Sequence, residues 1–300
     1  MTRLKANALL LLAATIWGMT FVVQQVGTGG LDAMMFTGVR SLVGACFVLP
    51  LAARQFCRVT RVKHQFNAGD WFGILAAGVV LFTAAALQQY GIFHTTVTNA
   101  GFLTAFYVPL VPFISFLVLR RTVHWSVWPA SVCCLFGTWV MTGSPGVDFR
   151  VGDFWVICSS FFWATHVILV GTMAARTKAP VVVACGQFFA CGICGTIIGL
   201  IVEQPVPADF SGALFGILWA GLLSTGVGFT LQAVGQRFTH EADAAIILSS
   251  ETVFAALAGF LFLGERLSLS EAAGALLIFT SIIAVQLLPL MRQKARKLGV

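Results

Sequence analysis

Arg40, Glu251 and His166 each lie inside a run of apolar residues, where an ionisable side chain has to be accounted for. At the centre of a membrane helix such a group costs about 2.5–3.5 kcal/mol on insertion scales, so each needs a partner or a task. A guanidinium at Arg40 could hold a substrate carboxylate. A carboxylate at Glu251 could take a substrate amine or a coupling proton. The plainer reading makes all three structural ties to carbonyls, hydroxyls or one another, and His166 a hydrogen-bonded core histidine. Tyr107 and Gln187 join them as polar candidates along a substrate path.

Aromatic residues form a second constellation. Trp17 and Trp163 fall at about the twelfth position of the first and sixth apolar runs, far from the interfaces that tryptophan favours. Facing a cavity, they would supply flat apolar walls and indole donors suited to amphipathic or aromatic substrates. The alternative is lipid contact or core packing. Pro109 and Pro112 are read as the only prolines well inside a run, and each removes a helical hydrogen bond and crowds the carbonyl four residues earlier. A kink follows there, and with it a candidate hinge.

The elements that must position these groups are membrane helices. Apolar residues make up 58% of the chain and charged residues 10%, against roughly 25% charged in a soluble domain. The apolar excess comes in ten blocks: 6–26, 33–52, 70–90, 98–119, 126–143, 152–171, 180–202, 211–233, 243–263 and 270–290. Each is close to the ~20 residues that a ~30 Å hydrocarbon layer requires. The links are short except 53–69, read as a basic loop. The first block has no small-residue cleavage site after it and is read as a helix rather than a signal peptide.

The net charge of +7 reflects topology. With the N-terminus inside, the inner ends hold Arg3, Lys5, Arg54, Arg58, Arg61, Lys63, Arg120, Arg121, Arg176, Lys178, Arg237, Arg292, Lys294, Arg296 and Lys297. The outer ends hold only Arg150 and Arg266. This asymmetry predicts both termini in the cytoplasm of a multi-pass cell-membrane protein, with a weak attraction to anionic lipid and no nucleic-acid surface. The eight cysteines fall almost entirely inside the blocks, so no disulfide framework is expected. Cys191 and Cys194 have redox-like spacing, but their small-residue surroundings fit close helix packing better. Gly195-x-x-x-Gly199 and Ala272-Ala273-Gly274-Ala275 read the same way.

An internal repeat organises the blocks. Phe72-Gly73-Ile74-Leu75 recurs as Phe215-Gly216-Ile217-Leu218, and Leu87-Gln88 as Leu231-Gln232. The same offset of about 144 aligns Asn99 with Asp243 and Tyr107 with Glu251; Trp17 aligns with Trp163. Five spans per half is an odd number, so the second half enters from the opposite side and the repeat is inverted. Equivalent loops then carry opposite charge, as Arg54–Lys63 against Glu203 and Asp209 illustrates. Two opposed halves are a common build for alternating access around a midplane site.

At this point the chain resembles the drug/metabolite transporter superfamily, EamA type. The resemblance rests on Leu12-Ala13-Ala14-Thr15-Ile16-Trp17-Gly18, on Thr98-Asn99-Ala100-Gly101-Phe102-Leu103-Thr104 with Tyr107-Val108-Pro109, and on Ser250-Glu251-Thr252 with Leu263-Gly264-Glu265. It implies ten helices in two inverted five-helix repeats and an export role for amino acids, metabolites or toxic compounds. Two departures stand out. Thr252 replaces a proline common after the glutamate, which predicts a straighter ninth helix, and Arg121 stands where many relatives carry a glutamate.

The expectation is therefore an all-α integral membrane protein with repeats at 1–145 and 146–290 and a basic tail at 291–300. Its function is secondary-active export of small metabolites such as amino acids by alternating access, with protons as the candidate coupling ion. No cofactor, metal or enzymatic activity is expected, and no phosphate loop, zinc helix or ATP-binding domain occurs. A lipid-modifying membrane enzyme and a passive channel are the alternatives. The former would need paired catalytic groups near one interface, but His94 and His124 fall on opposite sides and neither has an acidic neighbour in sequence. A sugar phosphate would want several core cations, and only Arg40 is present. The sequence does not choose between monomer and homodimer.

Overall fold

The computed structural model describes residues 1–61, 66–95, 97–141, 150–263 and 269–298, without the side chains of 97–99, 102, 141, 259, 262–263, 271 and 285–298. Lys63, Asp148, Glu265, Arg266 and the repeat boundary at 145/146 lie outside the described residues. So do the side chains of Asn99 and of the basic residues from Arg292 onward.

Among the described residues the fold is helical without strands. Its elements are α1 (Arg3–Val26), α2 (Ala33–Arg61), α3 (Ala68–Phe93), α4 (Val97–Thr104), α5 (Tyr107–Leu117), α6 (Val127–Met141) and α7 (Val151–Thr177). They continue with α8 (Pro180–Val202), α9 (Pro207–Leu218), a π-helical stretch (Trp219–Phe229), α10 (Thr230–Gln236), α11 (Glu241–Leu248), α12 (Glu251–Leu263) and α13 (Leu269–Leu298). Six helical runs are long and apolar enough to cross a membrane, one of them continuous from Pro207 to Gln236. The helices group into the ten expected spans, and this is a multi-pass membrane protein.

Local chemistry sets the boundaries. α3, α7 and α9 each begin with an aspartate three residues in, whose carboxylate accepts an N–H that helix geometry leaves orphaned. Asp70 takes that of Asn67 at 2.9 Å, Asp153 that of Arg150 at 2.8 Å and Asp209 that of Val206 at 2.9 Å. α8 starts on Pro180, where a missing N–H costs nothing.

Packing depends on small residues. On α8, Gly195 meets the backbone of Gly38 and Gly199 meets Met35, so a side chain at either would drive α2 and α8 apart. Gly137 of α6 faces the carbonyl of Gly274 on α13. The two runs read as packing faces thus work within the chain. Cys191 is buried with its sulfur 3.2 Å from the Ser41 hydroxyl, and all eight cysteines are free.

The structure corrects four expectations. Residues 53–61 are helix, not loop: α2 runs on to Arg61, and this places Pro50 inside a helix beside the two expected prolines. The last span likewise continues to Leu298, through the segment read as a tail. The fourth span is not one kinked helix but two, separated at Ala105-Phe106. Pro109 has no N–H for the Ala105 carbonyl, which instead accepts the Val108 N–H at 3.0 Å in a tighter turn.

The ninth span, expected to be straight without its proline, is also broken, at Ser249-Ser250. Both serine hydroxyls donate to carbonyls three residues back, Ser249 to Ile246 and Ser250 to Ile247, each at 2.7 Å. The backbone follows into the tighter register, with N–H donation from Ser250 to Ile247 at 3.2 Å and from Thr252 to Ser249 at 3.2 Å. Hydroxyl competition for backbone carbonyls does here what proline does in the fourth span.

Candidate functional site

Residues from both breaks line one cavity with a free volume of about 50 Å³. Thr104 and Tyr107 line it from either side of the first break, Leu248 and Glu251 from either side of the second. α1 contributes Trp17, Thr20, Phe21 and Gln24, the i, i+3, i+4, i+7 spacing of a single helical face. Trp163 and Val167 come from α7, Arg40 from α2, Gln88 from α3, Ser224 and Phe229 from the π-helical stretch, and Gln232 from α10.

Five lining pairs recur at nearly the same offset, Gln88 with Gln232, Thr104 with Leu248 and Tyr107 with Glu251 at 144 residues, and Trp17 with Trp163 and Phe21 with Val167 at 146.

An aromatic stack forms one wall. Phe229 lies between the tryptophans, its ring centroid 4.5 Å from Trp17 and 5.9 Å from Trp163, nearly parallel to the latter. The Trp17 indole N–H donates to the Ser224 carbonyl at 3.3 Å, and its ring rests on Gly228, where a methyl group would collide with it. Trp17 is thus held against the π-helical stretch, an irregularity that recurs at functional sites. The Trp163 indole N–H is buried without a hydrogen-bond acceptor among the described residues.

The polar wall is largely amide. Gln24 donates to Gln89 at 2.9 Å, Gln89 donates back to the Gln24 carbonyl at 3.0 Å, and Gln88 donates to Thr104 at 2.9 Å. The side-chain oxygen of Gln232 has no donor among the described residues.

Two ionisable groups complete the lining. Arg40 is 6% exposed, with its guanidinium carbon 5.4 Å from the centre of the Phe36 ring. Glu251 is 7% exposed at the first residue of α12, where the helix dipole favours negative charge. Among the described residues neither has an ion-pair partner, and neither makes a side-chain hydrogen bond.

Ser249 and Ser250, next to Glu251 in the chain, and Tyr107, aligned with it in the repeat, bond elsewhere. The serine hydroxyls serve their own helix, and Tyr107 donates to the Ala245 carbonyl at 3.3 Å.

Of the seven path candidates, Trp17, Arg40, Tyr107, Trp163 and Glu251 line the cavity. His166 and Gln187 do not. They stand fully buried behind the wall, paired through His166 Nε2 and Gln187 Oε1 at 3.0 Å, with His166 edge-on to Phe229. Of the hinge candidates, Pro109 lies in the first turn of α5 and Pro112 inside it. Gln24, Gln88, Gln232, Ser224 and Phe229 were not anticipated as lining. The repeat had marked Gln88 and Gln232, as alignment anchors only.

Among the described residues His94 and His124 find polar neighbours but no carboxylate within ion-pair distance: the Tyr90 carbonyl at 2.9 Å and the Ser126 hydroxyl at 2.7 Å. At the end where α1 begins, three ion pairs join the first half of the chain to the second. They are Arg3–Asp243 at 2.7 Å, Arg121–Glu241 at 2.8 Å and Arg176–Asp70 at 2.7 Å. The arginine at 121 thus has its counter-charge in Glu241.

Comparison with known proteins agrees with this architecture. A protein of Archaeoglobus fulgidus named an uncharacterized transporter is 29% identical over 285 residues, covering 95% of this chain and 87% of that protein. The uncharacterized transporter YwfM of Bacillus subtilis is 24% identical over 294 residues, covering 95% of each chain. One solved crystal structure matches all of both chains with a TM-score of 0.77 at 16% identity, which speaks to the fold alone. The EamA-like transporter family model matches residues 4–143 and again 150–287. The chain belongs to the EamA-like transporter family.

Proposed function

We propose that this membrane transporter is a secondary-active exporter of small amphipathic zwitterions, amino acids foremost, which it carries through the central cavity by alternating access. The observation that carries the reading is the pair Arg40 and Glu251, one cation and one carboxyl group lining the same cavity without an ionic partner. A buried charge left unpaired inside a protein is expensive, and a ligand that brings the complementary charges removes that cost. A zwitterion supplies both at once. The Trp17–Phe229–Trp163 stack favours an apolar or aromatic flank, and the free Trp163 donor and Gln232 acceptor add hydrogen bonds for substrate.

The two halves, 1–145 and 146–290, are read as inverted repeats with both termini in the cytoplasm. The paired breaks and the five offset pairs support this, because interrupted helices that meet at a midplane site are the usual furniture of such transporters. Glu251 is assigned the coupling proton.

The test is exchange and uptake of radiolabelled amino acids in proteoliposomes with and without a proton gradient. Saturable transport, stimulated by the gradient and lost in Arg40→Gln, is expected. Transport of neutral sugars with no response to amino acids would overturn the substrate reading. Reporter fusions at residue 150 and at the C-terminus should report opposite sides of the membrane.

A further inference from the structure

We infer that the end of α2 carries a binding site for the phosphate headgroup of an anionic phospholipid, remote from the transport cavity. α2 is 29 residues long, more than the ~20 that cross the hydrocarbon, so its last turns stand at headgroup level. There Ala53, Arg54, Cys57, Arg58 and Arg61 line one open concavity, all of them exposed. The arginines are spaced i, i+4, i+7 and share one helix face.

Charge accounting leaves this cluster uncompensated. The described carboxylates at this end of the molecule are Asp70, Glu241 and Asp243, and they are already matched to Arg176, Arg121 and Arg3. Arg54, Arg58 and Arg61 are left with no carboxylate within ion-pair distance among the described residues. A guanidinium fork matches a phosphate in geometry as well as in charge.

Two further observations point to a lipid as the source of the phosphate. The same face of α2 continues toward the membrane centre as an exposed, uncharged track of Cys46, Leu49, Pro50 and Ala53, on which acyl chains can lie. Beside it, Phe56, Phe66 and Trp71 pack as an aromatic trio with centroids 5.3–6.1 Å apart, of which Trp71 is the residue type that marks the membrane–water boundary.

The experiment titrates phosphatidylglycerol, with phosphatidylcholine as control, into the purified, delipidated full-length protein and counts bound lipid by native mass spectrometry. Arg54→Gln/Arg58→Gln is compared with Lys5→Gln/Arg120→Gln, which removes the same charge from the same end of the molecule. All four positions are exposed, so both variants should fold; melting temperatures within error of wild type verify this.

The inference expects tight retention of phosphatidylglycerol over phosphatidylcholine in the wild type. Affinity should fall about fivefold for each arginine removed from α2, with little change in the control variant. Equal weakening in both variants would mean diffuse surface attraction and no site. Displacement of the lipid by millimolar inorganic phosphate would make the ligand a free anion. Either result overturns the inference, as does equal retention of the two lipids.

Discussion

In the fourth span the helix stops at Thr104 and resumes at Tyr107; in the ninth it stops at Leu248 and resumes at Glu251. The geometry is matched, with the offset of 144 that relates the two halves, but the chemistry is not. Pro109 can never donate to the Ala105 carbonyl, so the first break is permanent. At the second, Ser249 and Ser250 keep their N–H groups, and hydroxyls hold the tighter turn: Ser249 donates to the Ile246 carbonyl, Ser250 to Ile247 and Thr252 to Ser249, with Cys134 Sγ 2.8 Å from the Ser249 hydroxyl. One interruption is built into the covalent structure and the other rests on hydrogen bonds. The hydrogen-bonded one carries the ionisable Glu251, and the fixed one carries Tyr107, whose hydroxyl ties the two spans together through Ala245.

The sharpest way to break this comparison is Glu251→Gln. Counterflow exchange should persist with weaker substrate binding, because the substrate ammonium loses its counter-charge, and acceleration by a proton gradient should vanish. Tyr107→Phe at the matched position should leave the acceleration intact. Gradient-stimulated transport at the wild-type rate in the Gln variant would falsify the coupling role.

Pro109→Ala attacks the permanent break. It returns an N–H that can reach the Ala105 carbonyl, and because Pro109 sits in the first turn of α5 the penalty it lifts is well below the ~3 kcal/mol of an interior proline. The thermal midpoint should rise, while transport falls by roughly tenfold, the equivalent of ~1.4 kcal/mol in barrier. A variant that is both more stable and fully active would show that the first break is dispensable.

Next in size are Trp17→Ala and Trp163→Ala, each expected to cost about three- to tenfold in transport, since an aromatic contact is worth roughly 0.5–1.5 kcal/mol beyond its area. Membrane expression should stay near normal, and full activity in both variants would remove the stack from the substrate path. The smallest effect belongs to Ser250→Ala. One hydroxyl–carbonyl bond is worth about 0.5–1.5 kcal/mol, so a change of a few-fold in rate is expected, read as initial export velocity. An effect as large as that of Pro109→Ala would mean that the two breaks are equally rigid.

The spans, the class and about a third of the cavity lining were legible in the chain, because lipid imposes a length and a composition that soluble packing does not. Arg40, Glu251 and the Trp17/Trp163 pair could be picked out as costly or misplaced residues. Gln24 and Phe229 could not, since an amide or a phenyl ring in an apolar run looks like filler until its face is known. His166 was conspicuous for the same reason as Arg40, yet it is turned to Gln187 behind the wall.

Composition and hydropathy determined a ten-helix multi-pass membrane protein with costly polar residues inside its spans, because they report what each segment can tolerate around it. Only the tertiary structure decided that the ninth span breaks without its proline, that Ser249 and Ser250 turn to their own helix instead of to Glu251, and that three carboxylates are matched to three arginines while α2 keeps its own uncompensated. Those outcomes depend on which hydroxyl reaches which carbonyl and which charge meets which neighbour. Such contacts join residues as far apart as Arg3 and Asp243, and no local pattern encodes them.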